Sequence, residues 1–147
     1  MTEKVFNIVE HLFKLALDYL SKEKDSELEE LVIILSQTFY CMKDGKQYYL
    51  NEQIKGHSLF KSKEFWEKYS KTKLNEEINK SKAKSPNLTQ FQIENLILAQ
   101  IMTFQHVMTD FGISKEMILN LINSIFEEYH VGEETKNLVM NIMGQNK

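Results

Sequence analysis

From Leu88 to Ser114 the chain reads LTQFQIENLILAQIMTFQHVMTDFGIS, its longest unbroken apolar-periodic stretch. Ile97, Ile101, Phe104, Met108 and Phe111 recur at steps of four and three, which places them on one helical face. Leu98 and Met102 widen that face, and Phe91, Leu96 and Val107 carry it further round. A helix apolar over most of its circumference needs neighbours on several sides. The pattern therefore predicts a central helix over about 88–111, with a bundle packed around it. Gly112 is placed to end that helix in a left-handed conformation, and Ser114 to cap the next one.

The other helices follow from the same periodicity. Residues 3–20 form a first helix with an apolar stripe of Val5, Ile8, Val9, Leu12, Phe13, Ala16, Tyr19 and Leu20. Thr2 is positioned to cap it, and Glu3 suits its positive end. Asp25 or Ser26 would cap a second helix running to about Met42, whose inward face is Leu28, Leu31, Val32, Leu35, Phe39 and Met42. Asp44-Gly45 is a turn signal, and Gln47 to Leu50 reads equally as a short extended piece or a helical turn. Gly56, His57 and Ser58 lead into a third long helix over 62–83, beginning at Ser62, with Phe65, Trp66, Tyr69, Leu74 and Ile78 apolar. Ser85-Pro86 opposes its continuation. After Ser114 a further helix runs to about Tyr129, with Met117, Ile118, Leu121, Ile122, Ile125 and Phe126 inward and Gly132 as its end. A last helix spans about 133–143, with Leu138, Val139, Ile142 and Met143 packing back and Gly144 as its stop. The expected fold is all-α: a single compact bundle of five or six helices, one domain over residues 1–147.

Composition agrees with this picture. One proline, Pro86, and five glycines set between apolar runs leave few turns for a strand-rich fold. The 42% hydrophobic fraction of 147 residues suffices for one core. Cys41 is the lone cysteine, so no internal disulfide forms and a reducing, cytoplasmic setting is expected. Its place near a helix end reads as a small buried apolar residue. No apolar run approaches the roughly 18–20 residues of a membrane span, and the N-terminal stretch carries Glu3, Glu10 and Asp18, unlike a signal peptide.

Charge adds one asymmetry. All eighteen basic residues are lysines, so the planar fork suited to bidentate phosphate contacts is missing. Between Lys61 and Lys84 eight lysines meet four acids, a local +4 in a chain of net −3. This helix reads either as a solvated face or as a contact, through Lys61, Lys63, Lys68, Lys71 and Lys73, for an acidic protein or an anionic membrane surface. Nucleic acid is disfavoured, because Phe65, Trp66 and Tyr69 are spaced to turn inward and the chain is acidic overall. Trp66, Tyr48 and Tyr49 are each open to two readings, core residue or binding anchor. The first helix as a membrane-surface helix is disfavoured too, since its polar face mixes Lys4 and Lys14 with acids.

Catalytic chemistry finds no motif. His11, His57, His106 and His130 form no HExxH, and no cysteine cluster joins them. His106 reads as a buried or half-buried hydrogen-bonded residue rather than a ligand. The acid pairs Glu29-Glu30, Glu76-Glu77, Glu127-Glu128 and Glu133-Glu134 are adjacent, so the two members do not face one another on a helix. There is no GxxxxGK[ST] loop, GxGxxG turn or GxSxG elbow. No enzyme, metal or cofactor is indicated.

Two segments carry a family likeness. Thr103-Phe104-Gln105-His106-Val107-Met108-Thr109-Asp110-Phe111-Gly112-Ile113-Ser114-Lys115 resembles a T-F-x-H-x-M-x-x-F-G-x-[SN]-K signature. Leu59-Phe60 followed by Phe65-Trp66-Glu67 resembles the "FW" helix of the same family. That family is the helical domain of SET-binding-factor proteins, myotubularin-related pseudophosphatases with DENN modules, and of a related uncharacterised cytoplasmic vertebrate protein. The likeness covers about residues 28–143. It implies a non-catalytic helical module in proteins tied to Rab GTPases, phosphoinositides and membrane traffic. The chain departs from the family in lacking a DENN or phosphatase region, and the motif residues themselves look architectural. The expectation is a non-enzymatic protein-interaction module of the cytoplasm, linked to membrane traffic or small-GTPase machinery. The alternative is a peripheral binder of anionic lipid through the lysine-rich helix 61–84.

Overall fold

A computed structural model describes residues 1–23 and 26–145. Among them the chain is all-α apart from one small hairpin. Its elements are α1 (Glu3–Glu23), α2 (Ser26–Thr38), β1 (Tyr40–Lys43), β2 (Lys46–Tyr49), α3 (Leu50–Ile54), a 3-10 turn (Ser58–Lys61), α4 (Lys63–Lys84), α5 (Gln90–Asp110), α6 (Lys115–Glu128) and α7 (Glu133–Gln145). They fall into two compact units, residues 1–69 with 108–113, and residues 70–107 with 114–147. Both α4 and α5 contribute to each. The α5 stripe Ile97, Ile101, Phe104, Met108 and Phe111 is buried throughout, as its spacing predicts. Phe91 is 73% exposed instead. It lies about 120° round the helix from Ile97, outside the buried arc.

In the first unit, the second helix does not reach Met42. It stops at Thr38, and Tyr40 to Lys43 become a strand paired antiparallel with Lys46 to Tyr49, Tyr40 facing Tyr49 and Lys43 facing Lys46. The two-residue loop decides this. Asp44 and Gly45 both take positive φ, 52° and 74°, the backbone of the tight turn whose twist matches a hairpin. The Tyr40 and Tyr49 rings meet across it at 5.5 Å, and the Leu50 N–H donates to the Phe39 carbonyl at 2.9 Å to start α3. Of the ambiguous segment, residues 47–49 are extended and helix begins at Leu50. The inward face of α2 is also rotated from the expected one. Val32 and Ile33 are buried with Glu29 and Ser36, while Leu31 and Met42 are exposed. Asp25 lies outside the described residues, as does the side chain of Ser26.

The same unit holds an aromatic cluster. Trp66 is buried, and its indole N–H donates to the Phe60 carbonyl at 2.7 Å. Phe60 lies 4.5 Å from Phe111 and 5.6 Å from Phe65 between ring centroids, and Trp66 lies 5.8 Å from Phe111. Trp66 is therefore core. His57 caps the 3-10 turn, its Nδ1 accepting from the Leu59 N–H at 3.2 Å. Ser62 caps α4, its hydroxyl oxygen accepting from the Phe65 N–H at 3.2 Å. Tyr48 and Tyr49 are half-buried.

In the second unit, Thr89 and Gln92 open α5 with a reciprocal box. Thr89 Oγ1 accepts from the Gln92 N–H at 3.2 Å, and Gln92 Oε1 accepts from the Thr89 N–H at 2.9 Å. Ser114 caps α6 as its position suggests, accepting from the Met117 N–H at 3.3 Å. The end of α6 differs from expectation. His130, not Gly132, takes the left-handed conformation at φ 51°. The His130 N–H donates to the Glu127 carbonyl and the Val131 N–H to the Phe126 carbonyl, the paired bonds of a left-handed helix stop. Gly132 instead precedes α7 and has no side chain to cap it. Glu94 on α5 supplies the missing oxygens: Oε1 accepts from the Gly132 N–H at 3.1 Å and Oε2 from the Thr135 hydroxyl at 2.6 Å. A Cβ at Gly132 would stand 3.4 Å from the Glu94 carboxylate, an ordinary contact. Gly144 does not stop α7, which runs to Gln145. Lys115 reaches its last turn and donates to the Met143 carbonyl at 3.1 Å. Val139 and Met143 are buried, whereas Leu138, expected inward, is exposed.

Two outcomes follow from this packing. Phe104 is 2% exposed, and Phe104→Ala is expected to cost about 3–5 kcal/mol in chemical denaturation. The hydroxyl of Thr135, then Gln90 and the Gly132 N–H, hold the Glu94 carboxyl below its ordinary value of 4.5. A depressed carboxylate contributes stability that is present above the unfolded value and is lost as pH falls through the folded one. The stability gap between wild type and Glu94→Gln is therefore expected to be full at neutral pH and to close below about pH 4.5, read by thermal melts across that range.

Candidate functional site

The lysines put forward by the sequence are largely engaged. In the first unit Lys61 is exposed at the end of the 3-10 turn, Lys63 pairs with Glu67 at 3.1 Å, and Lys68 pairs with Glu29 at 3.1 Å. In the second, Lys71 meets Glu128 at 2.7 Å and Lys73 meets Glu76 at 3.2 Å. A helix turns about 100° per residue, so Lys63 and Lys68 point to different sides of α4. The same holds for Lys71 and Lys73, two residues apart. These candidate lysines do not share one basic stripe within either unit, and four of the five have a carboxylate beside the ammonium. Glu29 and Glu128, distant in sequence, offset part of the local positive charge.

Glu29 is the polar residue that sequence reasoning missed. Its side chain is 5% exposed against 34% for Lys68, and both its oxygens lie within 3.2 Å of the Lys68 ammonium. A buried carboxylate persists because it is paired. The helical spacing offered a signal. Glu29 stands three and four residues before Val32 and Ile33, so it shares their inward face. Only the tertiary structure brings Lys68 to it.

This pair lines a cleft of about 230 Å³ with Leu20, Ser21, Ser62 and Phe65. The Ser21 hydroxyl donates to the Leu17 carbonyl at 2.8 Å, and the Ser62 oxygen already accepts the α4 cap bond. Among the described residues no histidine or cysteine lines the cleft, so the serines have no imidazole or thiolate base beside them there. What the cleft offers is an ammonium, two carboxylates (Glu29 and Glu64), serine hydroxyls and an apolar wall.

The remaining candidates separate cleanly. His57 makes contacts on both ring nitrogens. Nδ1 accepts the Leu59 N–H, so Nε2 carries the hydrogen and donates to Asp18 Oδ1 at 3.1 Å. His106, expected at least half-buried, is exposed on α5, as are His11 and His130 on their elements. Cys41 is buried. Among the described residues no three His, Cys, Asp or Glu side chains gather in a way that would hold a metal ion.

A surface feature is left, and it lies on α1. Phe6, Leu17 and Leu20 are the buried residues of that helix, while Val5, Ile8, Leu12, Leu15 and Tyr19 are all about half exposed. Val5, Ile8, Leu12 and Tyr19 were expected to face inward. The apolar arc of α1 is wider than the surface its own unit covers, so packing takes one edge and leaves the other in water. No family model, curated protein or solved structure matches the chain. Among the described residues no helix is long and apolar enough to cross a membrane.

The buried pair generates a test. Lys68→Met leaves the Glu29 carboxylate buried without its counter-charge. The expected loss is near the low end of the roughly 3–5 kcal/mol that follows breaking a buried pair, because the lysine side is partly solvated. Urea denaturation measures it, and Lys63→Met, which removes only an exposed helical pair, is expected to change stability by less than about 0.5 kcal/mol.

Proposed function

We propose that this chain is a non-enzymatic protein–protein interaction module whose docking face is the outer side of α1. The observation that supports this reading is the row Val5, Ile8, Leu12, Leu15 and Tyr19, five large apolar side chains left about half exposed on one helix of a folded unit. Single exposed apolar residues are ordinary, but a contiguous row of this size marks an interaction surface. One flank is polar, with Lys4, His11 and Asp18 along it, which is the rim that a protein contact prefers. A link to membrane traffic or small-GTPase machinery is supported by the central-helix motif alone.

The lysine-rich helix supports the lipid reading less well. Four of its five candidate lysines lie beside carboxylates, which weakens the field an anionic surface would meet. Photo-reactive residues placed singly at Leu12 and at Lys63 discriminate the two faces. Crosslinks to protein through position 12, and none through 63, are the expected result in lysate of the source cell. Crosslinks through 63 alone, or salt-sensitive retention on phosphatidylserine vesicles, would reject the α1 face in favour of α4.

A further inference from the structure

The exposed row of α1 has an internal order that points to a particular occupant. Val5, Ile8, Leu12, Leu15 and Tyr19 are separated by three, four, three and four residues. That is the seam spacing of a two-helix coiled coil, with Val5, Leu12 and Tyr19 at one seam position and Ile8 and Leu15 at the other. The exposures of the five are 47%, 54%, 56%, 52% and 54%, so the seam is evenly open along its length. Residues that pack α1 onto its own unit, Phe6, Leu17 and Leu20, occupy other helical positions. The helix therefore carries two apolar stripes, one used and one open.

We infer that the open seam pairs with the same seam of a second copy of this chain, the two α1 helices running antiparallel. This rests on the interaction-module reading above and names its partner. In the antiparallel arrangement Val5 layers with Leu15 of the other copy and Ile8 with Leu12, each layer repeated by the two-fold axis. The flanking charges then select the direction. The seam-edge residues on the side away from the core are Lys4, His11 and Asp18. With those layers in place, Lys4 of each copy stands beside Asp18 of the other, giving two attractive pairs, and the two His11 rings meet near the axis. In a parallel pair the same geometry sets Asp18 beside Glu23 of the other copy twice, and Lys4 beside Val9. Opposite charges at such flanking positions set orientation and partner choice. Asp18 is available for this role: its carboxylate is 68% exposed and is held from its own chain by His57 through Oδ1. The opposite edge of the seam is lined by Val9 and Ala16, which are half-buried and add no charge. A contact in which one patch meets itself is the ordinary form of a two-fold dimer. Four layers over residues 5–15 span about 15 Å of helix, a small interface, so the dimer is concentration-dependent.

Sedimentation velocity of the intact chain over a concentration series tests this, with circular dichroism to show that each variant stays folded. Wild type is expected to move from 17.4 kDa towards twice that mass. Leu12→Lys, which buries two ammonium groups in the central layers, is expected to raise the dissociation constant at least about 100-fold. Lys4→Glu is expected to weaken it about 3–10-fold by turning two attractive pairs into repulsive ones, and Lys4→Glu with Asp18→Lys to recover most of that loss. A wild type that stays monomeric at every concentration overturns self-pairing. So does a dimer indifferent to Leu12→Lys, and a double swap that fails to recover overturns the antiparallel direction. A monomer that sediments with uncharged phosphatidylcholine vesicles, and loses this with Leu12→Lys, assigns the seam to a bilayer instead. A monomer that still gives protein crosslinks through position 12 keeps the interaction module and rejects only the second copy.

Discussion

The indole of Trp66 sets terms that much of the first unit has to meet. A buried tryptophan needs a partner for its N–H, and here the partner is a backbone carbonyl, that of Phe60 at 2.7 Å. That bond ties the 3-10 turn to the first turn of α4, and the turn is held by His57 on one side and Ser62 on the other. The indole also needs apolar cover. Phe65 comes from the same helix, but Phe111 arrives from beyond α5, after the whole of residues 70–107. The left-handed turn at Gly112 follows directly, with the Ile113 N–H returning to the Met108 carbonyl at 2.9 Å. The chain can thus leave without moving Phe111. Gln37 adds a polar tie beside it, donating to Asp110 at 3.2 Å.

Helix ends in this protein are closed by two kinds of device, and they differ in how visible they are. Thr89, Gln92, Ser114 and Gly112 act within a few residues of the bonds they make. Such caps depend on residue type and short spacing. Glu94 and Lys115 act across the fold, on the start and the end of α7. No local rule points to them, because the group they satisfy lies about thirty or more residues away. His130 is a third case. It occupies a conformation that favours glycine, while Gly132 two residues later offers its N–H to Glu94. Choosing the glycine as the stop is sound on propensity and still names the wrong residue, since the left-handed bonds close at His130.

Two serines of the cleft beside Glu29, Ser21 and Ser62, make backbone bonds, and four of the five candidate lysines of helix 61–84 lie beside carboxylates. The outer row of α1 has the size, the spacing and the polar edge of a helix-pairing seam, and its end charges complement one another when the row is reversed on itself.

The sequence by itself determined the helices, most of their ends and the buried stripe of α5. These depend on periodicity and on capping residues, which act over a turn or two of chain. Ile97, Ile101, Phe104, Met108 and Phe111 were legible for that reason, and so were Ser62 and Ser114. The hairpin was half legible: Asp44-Gly45 marked the turn, but the aromatic residues on either side fit a helix or a strand until they pair. The tertiary structure alone decided which apolar residues of α1 were covered. Periodicity places Val5, Ile8, Leu12, Leu15 and Tyr19 on one edge of a wide arc, and it cannot say that the neighbours of α1 cover only the other edge. It also decided the burial of Glu29, because a carboxylate enters a core only where a distant ammonium, here that of Lys68, is brought to meet it.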